Sequence, residues 1–256
     1  MAPTDQQIAD AQTLVIEVFK SLRDDLLGAF GNVEHTRKAD TSPVTLWDVK
    51  VEETLKARLA EVFPEVGFQG EETGKSGNEE TYWLVDPIDG TSSFIRGLPF
   101  STNMAALVHD KHVIAAVIYD FVNDVLYTAI KGQGAFKNGK KIQLNTTREA
   151  GNFVVYSLTR QKFSLLQEAL AEIGVRLLLP MGAAGHDYAM LAEGKIDGVI
   201  VVNTGTGLHD NAPGLLLAEE AGAEVLQYDE NEGVYRHEFI VGSPKLVEII
   251  EHSGLI

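Results

Sequence analysis

The stretch Tyr82-Trp83-Leu84-Val85-Asp86-Pro87-Ile88-Asp89-Gly90-Thr91 constrains this chain more than any other. Four apolar residues bounded by turn formers read as a buried strand. The strand is expected to end at Asp86, in a turn fixed by Pro87, with Gly90-Thr91-Ser92-Ser93 opening a helix. Two carboxylates three residues apart then stand where a strand hands over to a helix. Aspartates supply hard oxygen ligands for a cation such as Mg²⁺. The backbone N–H groups of a glycine-led helix start supply an anion site. A cation site joined to an anion site points to metal-assisted phosphate chemistry.

The remaining sequence supports a mixed α/β chain whose sheets are covered by helices. Thr4-x-x-Gln7 is a capping box ahead of an apolar stripe at Ile8, Ala11, Val15, Phe19, Leu22 and Leu26. The polar segment from Glu34 to Pro43 reads as a mobile loop. Thr45-x-x-Asp48 opens a second helix, and Gly67-Phe68-Gln69 is a short strand ending at Gly70-Glu71-Glu72. Gly74 to Glu80 holds no apolar residue and reads as a loop. Residues 103–144 read as successive antiparallel strands, with His109-Asp110-Lys111-His112 as one turn and Asn138-Gly139 as a type I′ hairpin. Beyond Asn145 strands (153–158, 175–179, 198–202, 223–228, 237–241) alternate with helices (161–173, 185–194, 211–221, 244–252). The polar residues 145–151 divide the chain into an N-terminal half, 1–146, and a C-terminal half, 147–256. Acids at strand ends beside helix starts are where such folds place ligands. Glu71, Asp86, Asp89, Asp210 (in His209-Asp210-Asn211-Ala212-Pro213-Gly214) and Asp48 are the candidates.

Composition excludes several alternatives. A net charge of −16 argues against nucleic acid as a partner, since backbone binding needs basic patches. The absence of cysteine removes thiolate catalysis, disulfides and cysteine-based metal sites. The sequence shows no basic segment followed by an apolar core at its start, and no apolar run near the ~20 residues that span a bilayer. A cytoplasmic protein without membrane contact is the expectation.

Gly70-Glu71-Glu72, the six-residue Asp86–Thr91 motif and Asp210-x-Ala-x-Gly214 resemble the inositol monophosphatase family. Lys38, Ser42-Pro43-Val44-Thr45 ahead of Asp48, and Gly132-x-Gly-Ala-Phe-x-Asn-Gly139 fit the same pattern, in order, over nearly the whole chain. The resemblance implies a layered αβαβα sandwich, with an antiparallel-rich N-terminal sheet and a mixed C-terminal sheet. It implies Mg²⁺-dependent hydrolysis of a small phosphate monoester by metal-activated water, with two or three ions. Glu71, Asp86 and the carbonyl of Ile88 would hold the first ion, and Asp86, Asp89 and Asp210 a second, weaker one. Thr91 and Asp48 would orient the attacking water, with Glu71 counted among the catalytic groups. Gly90, Thr91 and Ser92 would cradle the phosphate. A homodimer and sensitivity to lithium are further implications.

The chain departs from the family where the substrate would be recognised. His209 replaces the usual Trp before the distal Asp. Gly182-Ala183-Ala184 stands where inositol-specific members carry Gly-Thr-Ala, and Asn203 stands at the position of a later Glu. These substitutions weaken the case for inositol itself and leave histidinol phosphate, a sugar phosphate and a 3′-phosphoadenosine nucleotide as alternatives. A catalytically weakened member, acting as a regulatory module that binds phosphate or RNA polymerase components, is the reading from another class.

Overall fold

The computed structural model describes residues 2–39, 41–144, 153–158, 168, 170–172, 174–202, 207–227 and 239–253. The boundary at 145–151, the substrate residue Asn203 and most of the expected helix over 161–173 lie outside them. Five layers stack in the order helix, sheet, helix, sheet, helix, as the αβαβα reading requires.

The first layer holds helices Asp5–Ser21 and Leu46–Val62, both closed at the N-terminus by capping boxes at Thr4/Gln7 and Thr45/Asp48. Their apolar stripes, including Val15, Phe19, Val51 and Leu55, pack on one face of an eight-stranded sheet. That sheet contains β3 (Gly67–Gly70), β4 (Gly74–Ser76), β5 (Thr81–Asp89), β6 (Thr102–His109), β7 (His112–Asp120), β8 (Val125–Ile130), β9 (Gly134–Lys137) and β10 (Lys140–Ile142). Its order is β10-β9-β8-β7-β6-β5-β3-β4, antiparallel except between β3 and β5. Every residue of β5 is buried. Trp83 and Val85 face the first helices, and Tyr82 and Leu84 face the other side. A strand with both faces covered thus reads as a continuous apolar run, and not as an alternation.

Helices Ala184–Ala192 and Leu208–Glu220 form the middle layer. The second is buried at every position from Asn211 to Ala218, because it is pressed between two sheets. Behind it lies a five-stranded mixed sheet, β12-β11-β13-β15-β14, made of Phe153–Leu158 (β11), Arg176–Leu178 (β12), Gly198–Val202 (β13), Glu224–Gln227 (β14) and Phe239–Gly242 (β15). Helix Pro244–Ser253 covers its far face, with Leu246 seated over Gly198.

Three local expectations are corrected. The segment from Glu34 to Pro43 is no simple loop: His35–Arg37 (β1) pairs antiparallel with Pro43–Thr45 (β2). Gly74–Ser76 is an edge strand on β3 and no part of a loop. Strand β5 does not stop at Asp86 but continues to Asp89. The turns follow their residues. Asn138 and Gly139 both take positive φ (47° and 74°), as a type I′ turn demands, and Asp110 and Lys111 do so without a glycine.

Candidate active site

The extension of β5 explains the spacing of its two acids. In a regular strand residues three apart point to opposite faces. Here the pairing with β6 shifts between Asp86, opposite Met104, and Asp89, opposite Thr102. Three steps along β5 thus match two along β6, so a β-bulge brings both carboxylates to the middle-layer face. Asn103 fixes the bulge by donating its side-chain N–H to the carbonyl of Pro87 at 2.6 Å.

The two acids meet opposite environments. Asp89 accepts three hydrogen bonds, from Thr102 Oγ1 (2.9 Å), Gly185 N (2.7 Å) and Ala184 N (2.9 Å). Burial, and then the charge of Asp210, still push its carboxyl up to about 6. Asp86 is as deeply buried, and its Oδ1 has no hydrogen-bond partner among the described residues. Burial first, then the charges of Glu71, Asp89, Asp210 and Asp48, raise it well above the ordinary carboxylate range. A buried, unpartnered oxygen amid like charges is stable only beside a cation or a proton.

Glu71 follows the end of β3. Gly70 before it is required by close approach, since a Cβ there would lie 2.0 Å from Glu52 Oε2. Fully buried Glu52 accepts the N–H groups of Glu72 and Thr73, each at 2.8 Å, and holds the turn that presents Glu71. Glu71 itself takes the Lys38 ammonium at 2.5 Å, and Glu72 contacts the same ammonium. Burial opposes that charge, but hydrogen bonds from Lys38 to Glu71 and Glu72 hold the ammonium above the ordinary lysine range.

Asp210 enters from the first turn of helix Leu208–Glu220, where its Oδ2 accepts Gly207 N at 2.5 Å. Burial raises its carboxyl, while His209 and the Gly207 N–H act the other way. Donor atoms of Asp86, Asp89 and Asp210 all lie within 4.8 Å of one another, and so do those of Glu71, Asp86 and His209. Asp86 belongs to both groups. Hard carboxylate donors around an unpartnered oxygen fit divalent cations. His209, expected in the substrate wall, lies with Glu71 and Asp86.

Thr91 and Asp48 also meet. The Thr91 hydroxyl lies 3.2 Å from Asp48 Oδ1 and 2.9 Å from the carbonyl of Ile88. Asp48 Oδ2 is taken by Thr45 N and Oγ1 at 2.8 and 2.6 Å. Burial, against the Thr45 hydrogen bonds, pushes Asp48 up to about 6. Gly90 takes φ 82° and sits so close to Phe100 O and Gly182 O (2.5 and 2.7 Å from a built Cβ) that no side chain fits. Thr91 and Ser92 open the short helix Thr91–Arg96, and Ser92 is exposed in its first turn.

A cavity of about 280 Å³ opens beside these groups. Gly90, Gly182, Ala183 and Ala184 line it with Asp89 and Asp210. Asp187, in the stretch Gly185-His186-Asp187-Tyr188 that reads from the sequence as part of a pocket for another phosphomonoester, lines it as well. It is buried in the first turn of helix Ala184–Ala192 and accepts Met181 N at 3.5 Å. Burial pushes its carboxyl up to about 7. A single acid in the helix start Ala184-Gly185-His186-Asp187 was its signal. Glu52 had one too: with Asp48 it shares the face that carries Leu55 and Leu59.

Comparison with known proteins identifies the family and the fold. Residues 4–253 match the inositol monophosphatase family. An inositol-1-monophosphatase of Mesorhizobium japonicum is 31% identical over 249 residues, 90% of this chain and 88% of its own. A fructose-1,6-bisphosphatase/inositol-1-monophosphatase of Aquifex aeolicus is 32% identical over 230 residues, 86% of this chain and 83% of its own. The crystal structure of the extragenic suppressor protein suhB from Bartonella henselae matches with a TM-score of 0.81 at 25% identity, covering 95% of this chain and 98% of that one. With the motifs in order, the layers matched and the carboxylates gathered, the chain belongs to the inositol monophosphatase family of metal-dependent phosphoric monoester hydrolases.

Proposed function

We propose that this protein hydrolyses a small cyclitol or sugar phosphate monoester with Mg²⁺ as its cofactor. The observation that carries the reading is Asp86: buried, unpartnered at Oδ1 and shared by two groups of potential ligands. Glu71, Asp86 and the carbonyl of Ile88 would hold one ion, and Asp86, Asp89 and Asp210 another. Bound Mg²⁺ would neutralise the phosphate dianion and stabilise the leaving oxygen.

The chain's own groups account for the remaining work. Thr91 Oγ1 donates its proton toward Asp48 or Ile88 and so presents a lone pair to a water molecule. That water attacks phosphorus opposite the leaving group: a P–O bond forms, the ester P–O bond breaks, and the leaving alkoxide takes a proton from solvent water. Asp48, with its carboxyl near neutrality, accepts a proton through Thr91. The first N–H groups of a helix lack intrahelical partners, so those of Gly90, Thr91 and Ser92 are suited to the phosphate. Ala183 and Ala184 give an apolar wall for a ring, and Asp187 offers a carboxyl to a ring hydroxyl. The names of the Mesorhizobium and Aquifex relatives support a cyclitol or sugar over a nucleotide.

The test is phosphate release, with and without Mg²⁺, from inositol 1-phosphate, fructose 1,6-bisphosphate, histidinol phosphate and a 3′-phosphoadenosine nucleotide. The expected result is Mg²⁺-dependent release, fastest from one of the first two. Release from none of them by folded, Mg²⁺-saturated protein would overturn the reading.

A further inference from the structure

His209 Nε2 lies 3.7 Å from Glu71 Oε2 and 3.6 Å from Asp210 Oδ2. Both separations are too long for a hydrogen bond. They are close to the spacing of two donors that share one ion, because ligand atoms about 2.1 Å from a common metal lie no more than about 4.2 Å apart. The third member, Asp86, is almost wholly buried and leaves an oxygen without a partner among the described residues. The imidazole is also held in place by the backbone. A Cβ built on Gly207 would lie 2.3 Å from Cε1 of His209, 2.7 Å from Nε2 and 2.9 Å from Nδ1. The ring therefore fills a notch that only glycine leaves open, and its placement does not depend on its own rotamer preference alone.

We propose that His209 Nε2, Glu71 and Asp86 form a mixed nitrogen and oxygen site for a divalent first-row transition ion, so that this protein binds Mn²⁺ in preference to Mg²⁺. The setting rests on the phosphatase reading, but the binding test does not. Mg²⁺ takes oxygen ligands and keeps its water reluctantly exchanged. Imidazole binds first-row transition ions more readily than Mg²⁺, and Mn²⁺, the hardest of these, also accepts the two carboxylates. A Trp at this position offers an N–H donor and no lone pair, so it could not serve. His209 therefore changes which ion the pocket selects, beyond making its wall more polar.

The experiment uses the full chain, stripped of metal, without substrate. Calorimetric titrations with MnCl₂ and MgCl₂ are compared for wild type and His209→Ala, and pulsed electron paramagnetic resonance is recorded on the Mn²⁺-loaded proteins. The expected result is a nitrogen hyperfine coupling in the wild type that His209→Ala lacks. Mn²⁺ affinity should fall about tenfold or more in that variant, since even indirect partners of a ligand are worth that much. Mg²⁺ affinity should change much less. Mn²⁺ bound by the wild type without nitrogen coupling, or equal weakening for both ions, would overturn the proposal. If His209→Ala does not fold by circular dichroism, the coupling in the wild type decides alone. Nitrogen-ligated Mn²⁺ in a protein that releases no phosphate would overturn the phosphatase reading while leaving the metal site intact.

Discussion

The end of β5 and the hairpin β1–β2 treat the same cluster of charge in opposite ways. β5 has nine buried residues with paired strands on both sides, and its bulge concentrates acids with no countercharge of its own. The hairpin has three exposed residues in β1 and delivers the Lys38 ammonium to Glu71 and Glu72. A well-packed sheet can hold charges that repel, because surrounding contacts outweigh the strain. A thin exposed hairpin cannot, and it binds where electrostatics draw it. The comparison separates fixed, proposed ligands from an adjustable countercharge.

The hardest test of the fixed side is Asp86→Asn. Phosphate release should fall about 10³-fold, as for loss of one major electrostatic group in a water-excluded site. In the metal-free protein the same change should raise the melting temperature, since it removes an unpartnered buried charge. Mg²⁺ should stabilise the wild type and scarcely affect the variant. A metal-free variant that melts well below the wild type would show that Asp86 is held by the protein and not for a cation.

Metal removal has a second, pH-dependent consequence. Burial holds Asp48 and Asp89 at about 6 and Asp187 at about 7, against an ordinary 3.8. Between these values the folded chain keeps protons that the unfolded chain has lost. Stability in a chelator should therefore fall as pH rises from about 4 to about 7. Urea unfolding across that range checks the sign, and Asp187→Asn should flatten its upper part. Stability that rises with pH there would mean these acids are charged and well solvated when folded.

The same contrast decides what could be read from the sequence. The gathering of Glu71, Asp86, Asp89 and Asp210 was legible because three short motifs carry them. The capping boxes at Thr4 and Thr45 and the Asn138-Gly139 turn were legible because each is a local hydrogen-bond or φ requirement. The bulge was not, since Pro87 signals a stop and only the register with β6 shows that the strand resumes. Hairpin β1–β2 was missed because short exposed strands have no apolar alternation to betray them. Glu52 acquires its role through contacts with residues distant in the chain, Glu72 and Thr73.

Asp187 sharpens the comparison at intermediate magnitude. A buried carboxyl that meets a substrate hydroxyl contributes roughly 1.5–3 kcal/mol, which is about 10- to 100-fold. Asp187→Ala should raise KM by that factor for a cyclitol or sugar phosphate and leave kcat nearly unchanged. A loss confined to kcat would assign it to the support of Asp89 instead, since helix Ala184–Ala192 donates two backbone N–H groups to that residue.

The smallest effect lies on the adjustable side. The Lys38 ammonium is shared between Glu71 and Glu72 at the edge of the site, and its pair with Glu71 is of the order of 1 kcal/mol. Its ammonium nevertheless lies against a carboxylate that the proposed cation needs, so the two positive charges compete. Lys38→Met removes the competitor while keeping the aliphatic stem. The apparent Kd for Mg²⁺ should fall about threefold, the factor that a pair of this strength allows, and calorimetry without substrate reads it directly. A weaker affinity would reverse the assignment: Lys38 would then be organising Glu71 and Glu72 for the ion, and the hairpin would belong with β5 among the fixed parts of the site.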